Sequence, residues 1–222
     1  MNSAEGSADV PRRTSWLMRI WRGIKIFLVL FVILFVAGLI WRYPGYLEKE
    51  RSAEVAQQIR DARLTMADAD GSNLPPQPDP ALVDATVEGI DANRNGIRDD
   101  VELAIFAKYP GVENLKLRAA ELQYAKALQM YLTSVFTKET LVAVMSQEDR
   151  ASACFSVSTL LPPPDADDNT WGNYLRQKRE SESVLTDMIL NTPQRREMHK
   201  KVFEKYMGSY GSDTSEPCDI EL

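Results

Sequence analysis

Between Ile26 and Trp41 the chain runs sixteen residues without a charge, IFLVLFVILFVAGLIW, and this stretch limits the fold before anything else does. With Ile24 and a Lys25 whose ammonium can snorkel to the headgroups it reaches eighteen residues, enough to cross a bilayer as a slightly short helix. A cleaved signal peptide is the competing reading, but the apolar run is long and no A-x-A site follows Ala37 before Arg42 and Tyr43. The sequence therefore predicts an uncleaved signal anchor over residues 24–42. On its amino side Arg12, Arg13, Arg19, Arg22 and Lys25 fall within fourteen residues, whereas basic residues just beyond it are mixed with Glu48, Glu50 and Glu54. Positive charge stays on the cytoplasmic side, so residues 1–23 read as a cytoplasmic basic tail and the rest as exported. Trp16, Leu17, Ile20 and Trp21, interleaved with those basic residues, suit headgroup depth.

Beyond the span the pattern predicts an all-α fold. Of 26 Lys and Arg and 32 Asp and Glu in the chain, six basic and two acidic residues precede Tyr43, which leaves 20 against 30 and a net charge of −10. A domain that acidic argues against a nucleic-acid partner. Leu47, Val55, Ile59, Ala62 and Met66 recur among charges, which reads as an amphipathic juxtamembrane helix over residues 43–70. Four prolines in Gly71 to Pro80 cannot continue it and mark a linker, residues 71–80.

A small helical domain is expected over residues 81–208. Asp79 and Pro80 open a short helix from Ala81 to Glu88, and Asp99 or Asp100 opens another that runs to Tyr109. From Asn114 to Phe136, Leu117, Ala120, Tyr124, Leu128, Tyr131 and Val135 recur at three and four, the stripe of a core helix. Lys138 to Leu161 reads as two shorter helices broken near Ser146 to Glu148. Trp171 marks re-entry into the core after Pro162 to Pro164, and helices follow over Gly172 to Leu190 and Pro193 to Met207, the latter capped by Thr192.

One stretch carries explicit chemistry. Asp91 to Glu102 reads DANRNGIRDDVE and matches the pattern D-x-[DN]-x-[DN]-G-x5-E at every specified position. A hard cation takes six to eight oxygens, and a tight loop turned at Gly96 can bring them together from one short segment. The competing reading is a run of Asx turns that caps the next helix. Five specified positions, however, coincide by chance in fewer than about one chain in a hundred.

In spacing these twelve residues resemble an EF-hand loop. The resemblance implies Ca²⁺ as cofactor, held by the side chains of Asp91, Asn93 and Asn95, the carbonyl of Ile97, Asp99 directly or through water, and both oxygens of Glu102. EF-hands that pair with a twin carry an apolar eighth position, whereas here the eighth position is Arg98, the apolar residue is Ile97 and no second copy occurs. The order Gly96, Ile97, x, Asp99 is similar to the unpaired loops of thrombospondin type 3 repeats and of exported bacterial proteins. Arg94 and Arg98 reduce the local negative field, so a weak, extracellular-type affinity and a structural role are expected.

Cys154 and Cys218 are the only cysteines and both follow the span, as a disulfide in an oxidising compartment requires. Their pairing would pin residues 209–222, a tail tied by that bond. His199, the only histidine, lies in a charged helix and reads as a solvated or capping residue. No Walker loop, dinucleotide fingerprint, GxSxG elbow or HExxH is present, and Glu148 with Asp149 or Glu180 with Glu182 have no spacing distinctive of glycosidase chemistry. No enzyme is expected. The sequence points to a single-pass protein of the bacterial inner membrane with its amino end in the cytoplasm and a calcium-binding helical domain in the periplasm. Its expected role is as a protein-interaction or accessory scaffold component of the envelope. Two rivals are an immunity or inhibitor protein against a toxin and a cell-envelope hydrolase using unidentified carboxylates.

Overall fold

Helix α1, Arg13–Asp61, opens the chain in a computed structural model that describes residues 13–159, 161–211 and 214–222. Of the expected tail, residues 1–23, those before Arg13 lie outside the described residues and the rest are the first turns of α1. The chain divides into two compact units, Met1–Glu50 and Arg51–Leu222. In the first, every side chain described from Met18 to Glu50 is exposed, Phe27, Leu34, Ile40 and Trp41 among them. The apolar run over residues 26–41 is thus left bare, and a helix satisfies its own backbone as a segment crossing lipid must. Among the described residues it is the one helix long and apolar enough to cross a membrane. The helix runs on through Pro44, although proline there has no N–H for the carbonyl of Ile40. No separate helix begins at that residue.

The second unit starts on the same helix. Ser52, Val55, Ala56 and Ile59, spaced by three and four, turn inward, and Ser52 Oγ lies 2.5 Å from Thr137 Oγ1. After a non-helical stretch comes α2, Met66–Asp70. The N–H and Oγ1 of Thr65 both donate to Asp68 Oδ2, at 2.8 and 2.7 Å. Residues 71–80 are not a free linker, because Pro75 and Pro78 are buried.

Residues 81–88 are a succession of turns rather than the expected helix. The cause is Arg195, wholly buried, whose guanidinium donates to the carbonyls of Val83, Thr86 and Val87 at 2.9, 3.1 and 2.9 Å and pairs with Asp84. Carbonyls that a helix would offer to amides four residues on are turned to a side chain instead.

Five helices complete the unit: α3 Asp99–Lys108, α4 Leu115–Thr133, α5 Lys138–Ser158, α6 Asp168–Ile189 and α7 Pro193–Tyr206. α4 is the axis, packed against α2, α3, α5, α6 and α7, with every residue from Arg118 to Leu132 buried. The apolar stripe seen in the sequence lies on it, and so do buried polar residues that the stripe did not announce. α5 crosses Ser146 to Glu148 without a break. Those polar residues have partners: Gln147 donates to the carbonyl of Arg60 at 3.0 Å, and Glu148 accepts from Tyr131 at 2.5 Å. Thr192 caps α7 by accepting from the N–H of Arg195 at 3.2 Å, with Pro193 in the first turn, as the sequence predicts.

Trp171 is half-buried and meets Tyr174 edge-on, outside the core. His199 is neither solvated nor a cap. It packs against the rings of Tyr131 and Phe203, and burial lowers its pKa. Cys154 and Cys218 are bonded, S–S 2.09 Å. The tail around Cys218 is built in: Gln123 donates to the carbonyl of Pro217 and accepts from the N–H of Asp219, and Arg150 donates to Glu216 and Asp219.

Candidate metal centre

Residues 91–102 fold as a chain of Asx turns. Asp91 accepts from the N–H groups of Asn95 and Gly96, at 3.2 and 2.9 Å on separate oxygens, and Asn95 Oδ1 accepts from Ile97 N–H at 2.9 Å. Asn93 Oδ1 accepts weakly from Asn95 N–H at 3.4 Å. Short side-chain oxygens bonding amides a few residues on coil the backbone tightly. Arg94 at φ 59° and Gly96 at φ 87° supply left-handed residues for that coil. The side chain of Ile97 is fully buried in the core and fastens the loop there. Asp99 and Glu102 lie in the first turn of α3, one helical turn apart, and both are buried.

Only half of a helix–loop–helix is built. α3 leaves the loop, but the entry is the turn segment held by Arg195. Arg98, at the eighth position, is buried and turned away. Its guanidinium donates to Asp100 at 2.5 Å and to the carbonyls of Met188 and Ile189 at 2.8 and 3.2 Å, so it clamps the loop to the end of α6. Asp100 is therefore the partner of a buried cation rather than a cap.

The electrostatics are those of oxygen donors short of positive charge. Glu102 is 0% exposed, and burial pushes its carboxyl up to about 7, with the amides of Asn93 and Asn95 opposing and Asp68 and Asp99 adding to the rise. Asp99 is raised too, by burial first and then by Asp91 and Asp100, against the N–H of Ala92 bonded to its Oδ1 at 2.9 Å. Its Oδ2 is buried without a hydrogen-bond partner. Asn95 Nδ2 is buried without a hydrogen-bond partner as well. Among the described residues no three His, Cys, Asp or Glu side chains form a metal-holding group. An ion here must rely on amide and carbonyl oxygens beside the carboxylates, which is the donor set a hard cation accepts.

Three residues outside the loop belong to its surroundings and had no signal in the spacing. Asn73 accepts on its carbonyl from Asn93 Nδ2 at 2.7 Å and donates from its own Nδ2 to Asp68 Oδ1 at 2.7 Å. Asp68 is pushed up by burial, but bonds from Asn73 and Thr65 and the charge of Lys126 outweigh this and lower its pKa. Lys126 on α4 is buried and its pKa is lowered by burial against the attraction of Asp219, Asp68 and Asp91. Elsewhere, Glu148 is half-buried and bonded by Tyr131 and Tyr124, and burial raises it. Glu121 is fully buried among Lys108, Tyr109 and Ser181. Both carboxylates have their donors inside the bundle. Comparison of the chain with family models, with curated proteins and with solved structures finds no match.

Proposed function

We propose that the protein is a membrane-anchored helical module of the cell envelope that binds Ca²⁺ through residues 91–102 as a structural ion and serves as a binding partner or scaffold for another protein. The observation that carries the ion is the pairing of a buried, unpartnered Asp99 Oδ2 with a fully buried Glu102 held partly protonated near neutral pH. Buried oxygens of that kind are costly unless a cation meets them. Asp91, Asn93, Asn95, Asp99 and Glu102 would supply side-chain oxygens and Ile97 its carbonyl. The ion would fix the joint between the turns held by Arg195 and helix α3, which leads into the central helix α4.

Anchoring rests on α1 and on the basic residues before its apolar run, with the exported side supported by the bonded cysteines. A reporter active only outside the cytoplasm, fused after Leu222, is expected to be active. Activity of a cytoplasm-only reporter there would reverse the topology.

The ion is tested by melting the full chain in detergent. At a hundredfold excess over Kd, calcium stabilises a folded state by about 2.7 kcal/mol, which raises the melting temperature by several degrees. Glu102→Ala should abolish most of the rise. Asp100→Asn, which keeps a hydrogen-bonding partner for Arg98, should retain it. Identical melting in calcium and in chelator would show DANRNGIRDDVE to be a capped turn.

A further inference from the structure

The two oxygens of Glu102 and the carbonyl of Asn73 converge on one point. Asn93 Nδ2 lies 3.3 and 3.1 Å from Glu102 Oε1 and Oε2 and 2.7 Å from the carbonyl oxygen of Asn73, twenty residues earlier in the chain. An amide nitrogen with its two partly positive hydrogens is thus ringed by oxygens, one carboxylate met by both atoms and one backbone carbonyl, in the manner that a hard cation is ringed. Asp99, whose unpartnered Oδ2 is buried, is felt by Glu102 as a neighbouring negative charge.

We infer that the carbonyl of Asn73 is an additional ligand of the ion, contributed from outside the twelve-residue loop; this rests on the calcium reading above. Coordination then asks Asn93 to withdraw its amide nitrogen and present Oδ1, a rotation of one half-buried side chain. The carbonyl is held ready for it. Asn73 N–H donates to the carbonyl of Ala67 at 3.0 Å, its side chain is tied to Asp68, and Gly71 at φ 91° turns the chain back off α2. The ion would bind residues 65–74 and 91–102 to each other, so that the capped turn after α2 stands behind the loop where no twin loop exists.

Labelling asparagine with carbonyl carbon-13 and leucine with nitrogen-15 leaves two directly bonded pairs, Asn73–Leu74 and Asn114–Leu115. In the full chain in detergent, calcium should move the Asn73 carbonyl resonance downfield and leave that of Asn114 in place, and the shift should vanish in Glu102→Ala. If calcium raises the melting temperature while the Asn73 resonance stays put, the loop binds the ion without Asn73 and this inference is overturned while the calcium reading stands. If calcium changes neither, the calcium reading fails first and the additional ligand with it.

Discussion

Lys126 lies across Gly96, its Cε 3.3 Å from where a side-chain carbon on that glycine would begin. The sixth loop position is thus glycine for two reasons, since φ is 87° there and the stem of a buried lysine covers the open face. Gly96→Ala should cost about 1–2 kcal/mol from the left-handed backbone alone. Moving the lysine stem adds to that. The check is a lower melting temperature in chelator together with a smaller calcium-dependent rise; an unchanged rise would mean that the turn is not part of the ion site.

The same lysine places a positive charge beside the loop. Its ammonium donates to the carbonyl of Arg63 at 3.2 Å and is attracted by Asp219, Asp68 and Asp91. A bound cation would meet that charge. Lys126→Met, close in length and without the charge, should tighten calcium binding at least several-fold, since two unit charges a few ångströms apart interact by about 1 kcal/mol even in bulk water and by about 4 kcal/mol at an effective dielectric of about 20. Calorimetric titration of the full chain decides it, and weaker binding would mean that the lysine supports the site instead.

Glu102 gives the metal-free protein a pH dependence of defined sign. Its folded pKa of about 7 exceeds the ordinary 4.5, so the folded state holds the proton more tightly than the unfolded state. Stability from this group is therefore greatest below 4.5 and is lost as pH rises to 7, by about 3 kcal/mol at most. Burial also raises Asp99 and Glu148 and lowers His199, so the quantity to measure is the difference between wild type and Glu102→Gln. In chelator that difference should move against wild type between pH 4.5 and 7, and calcium should reverse it above 7 by binding the deprotonated carboxylate. A difference that is flat with pH contradicts a carboxyl raised by burial.

What the sequence disclosed was what local rules govern. Thr192 before Pro193, the apolar stripe of α4 and the charge-free run of α1 each depend on neighbours within a few residues. What stayed hidden is what long side chains do at a distance. Arg118, Gln123, Lys126 and Gln129 look like the wet face of an amphipathic helix. Instead they donate to the carbonyls of Ala69, Pro217, Arg63 and Glu88, closing the end of α2 and three irregular segments whose carbonyls have no helical partner. The helix expected over residues 81–88 failed for the same reason, because Arg195 is more than a hundred residues away. Within residues 91–102 the spacing of Asp91, Asn93 and Asn95 is what the sequence offers for the proposed ion site, whereas Asn73 and Asp68 approach it from the segment that looked like a linker.

The disulfide fastens more than a tail. Asp219, next to Cys218, accepts from the N–H of Leu64 just past the end of α1 at 3.0 Å and pairs with Arg150 at 3.1 Å. For a bond joining residues 64 apart, the chain-entropy model gives about 4 kcal/mol of stabilisation. Cys154→Ala with Cys218→Ala should lower the melting temperature steeply and speed amide exchange at Leu64, which precedes Cys154 by 90 residues and Cys218 by 154. Slow exchange at Leu64 in that variant would show that Asp219 holds its place without the bond.

Arg195 should be the most consequential single side chain outside the loop. It is 0% exposed, and its guanidinium serves Asp84, Asn191 and the carbonyls of Val83, Thr86 and Val87. Arg195→Met removes a charge whose partners are largely at the surface and can be rehydrated, so the cost should fall near 2–4 kcal/mol rather than at the extreme for a buried pair. Arg195→Lys should recover little, because one ammonium cannot fork to carbonyls on successive turns. In both variants residues 81–88 should exchange their amides faster and become open to protease, and calcium affinity should fall because Asp91 lies only three residues beyond Glu88. Loss of global stability with slow exchange at 81–88 would mean that the turns hold themselves, and that the entry to the loop does not depend on α7.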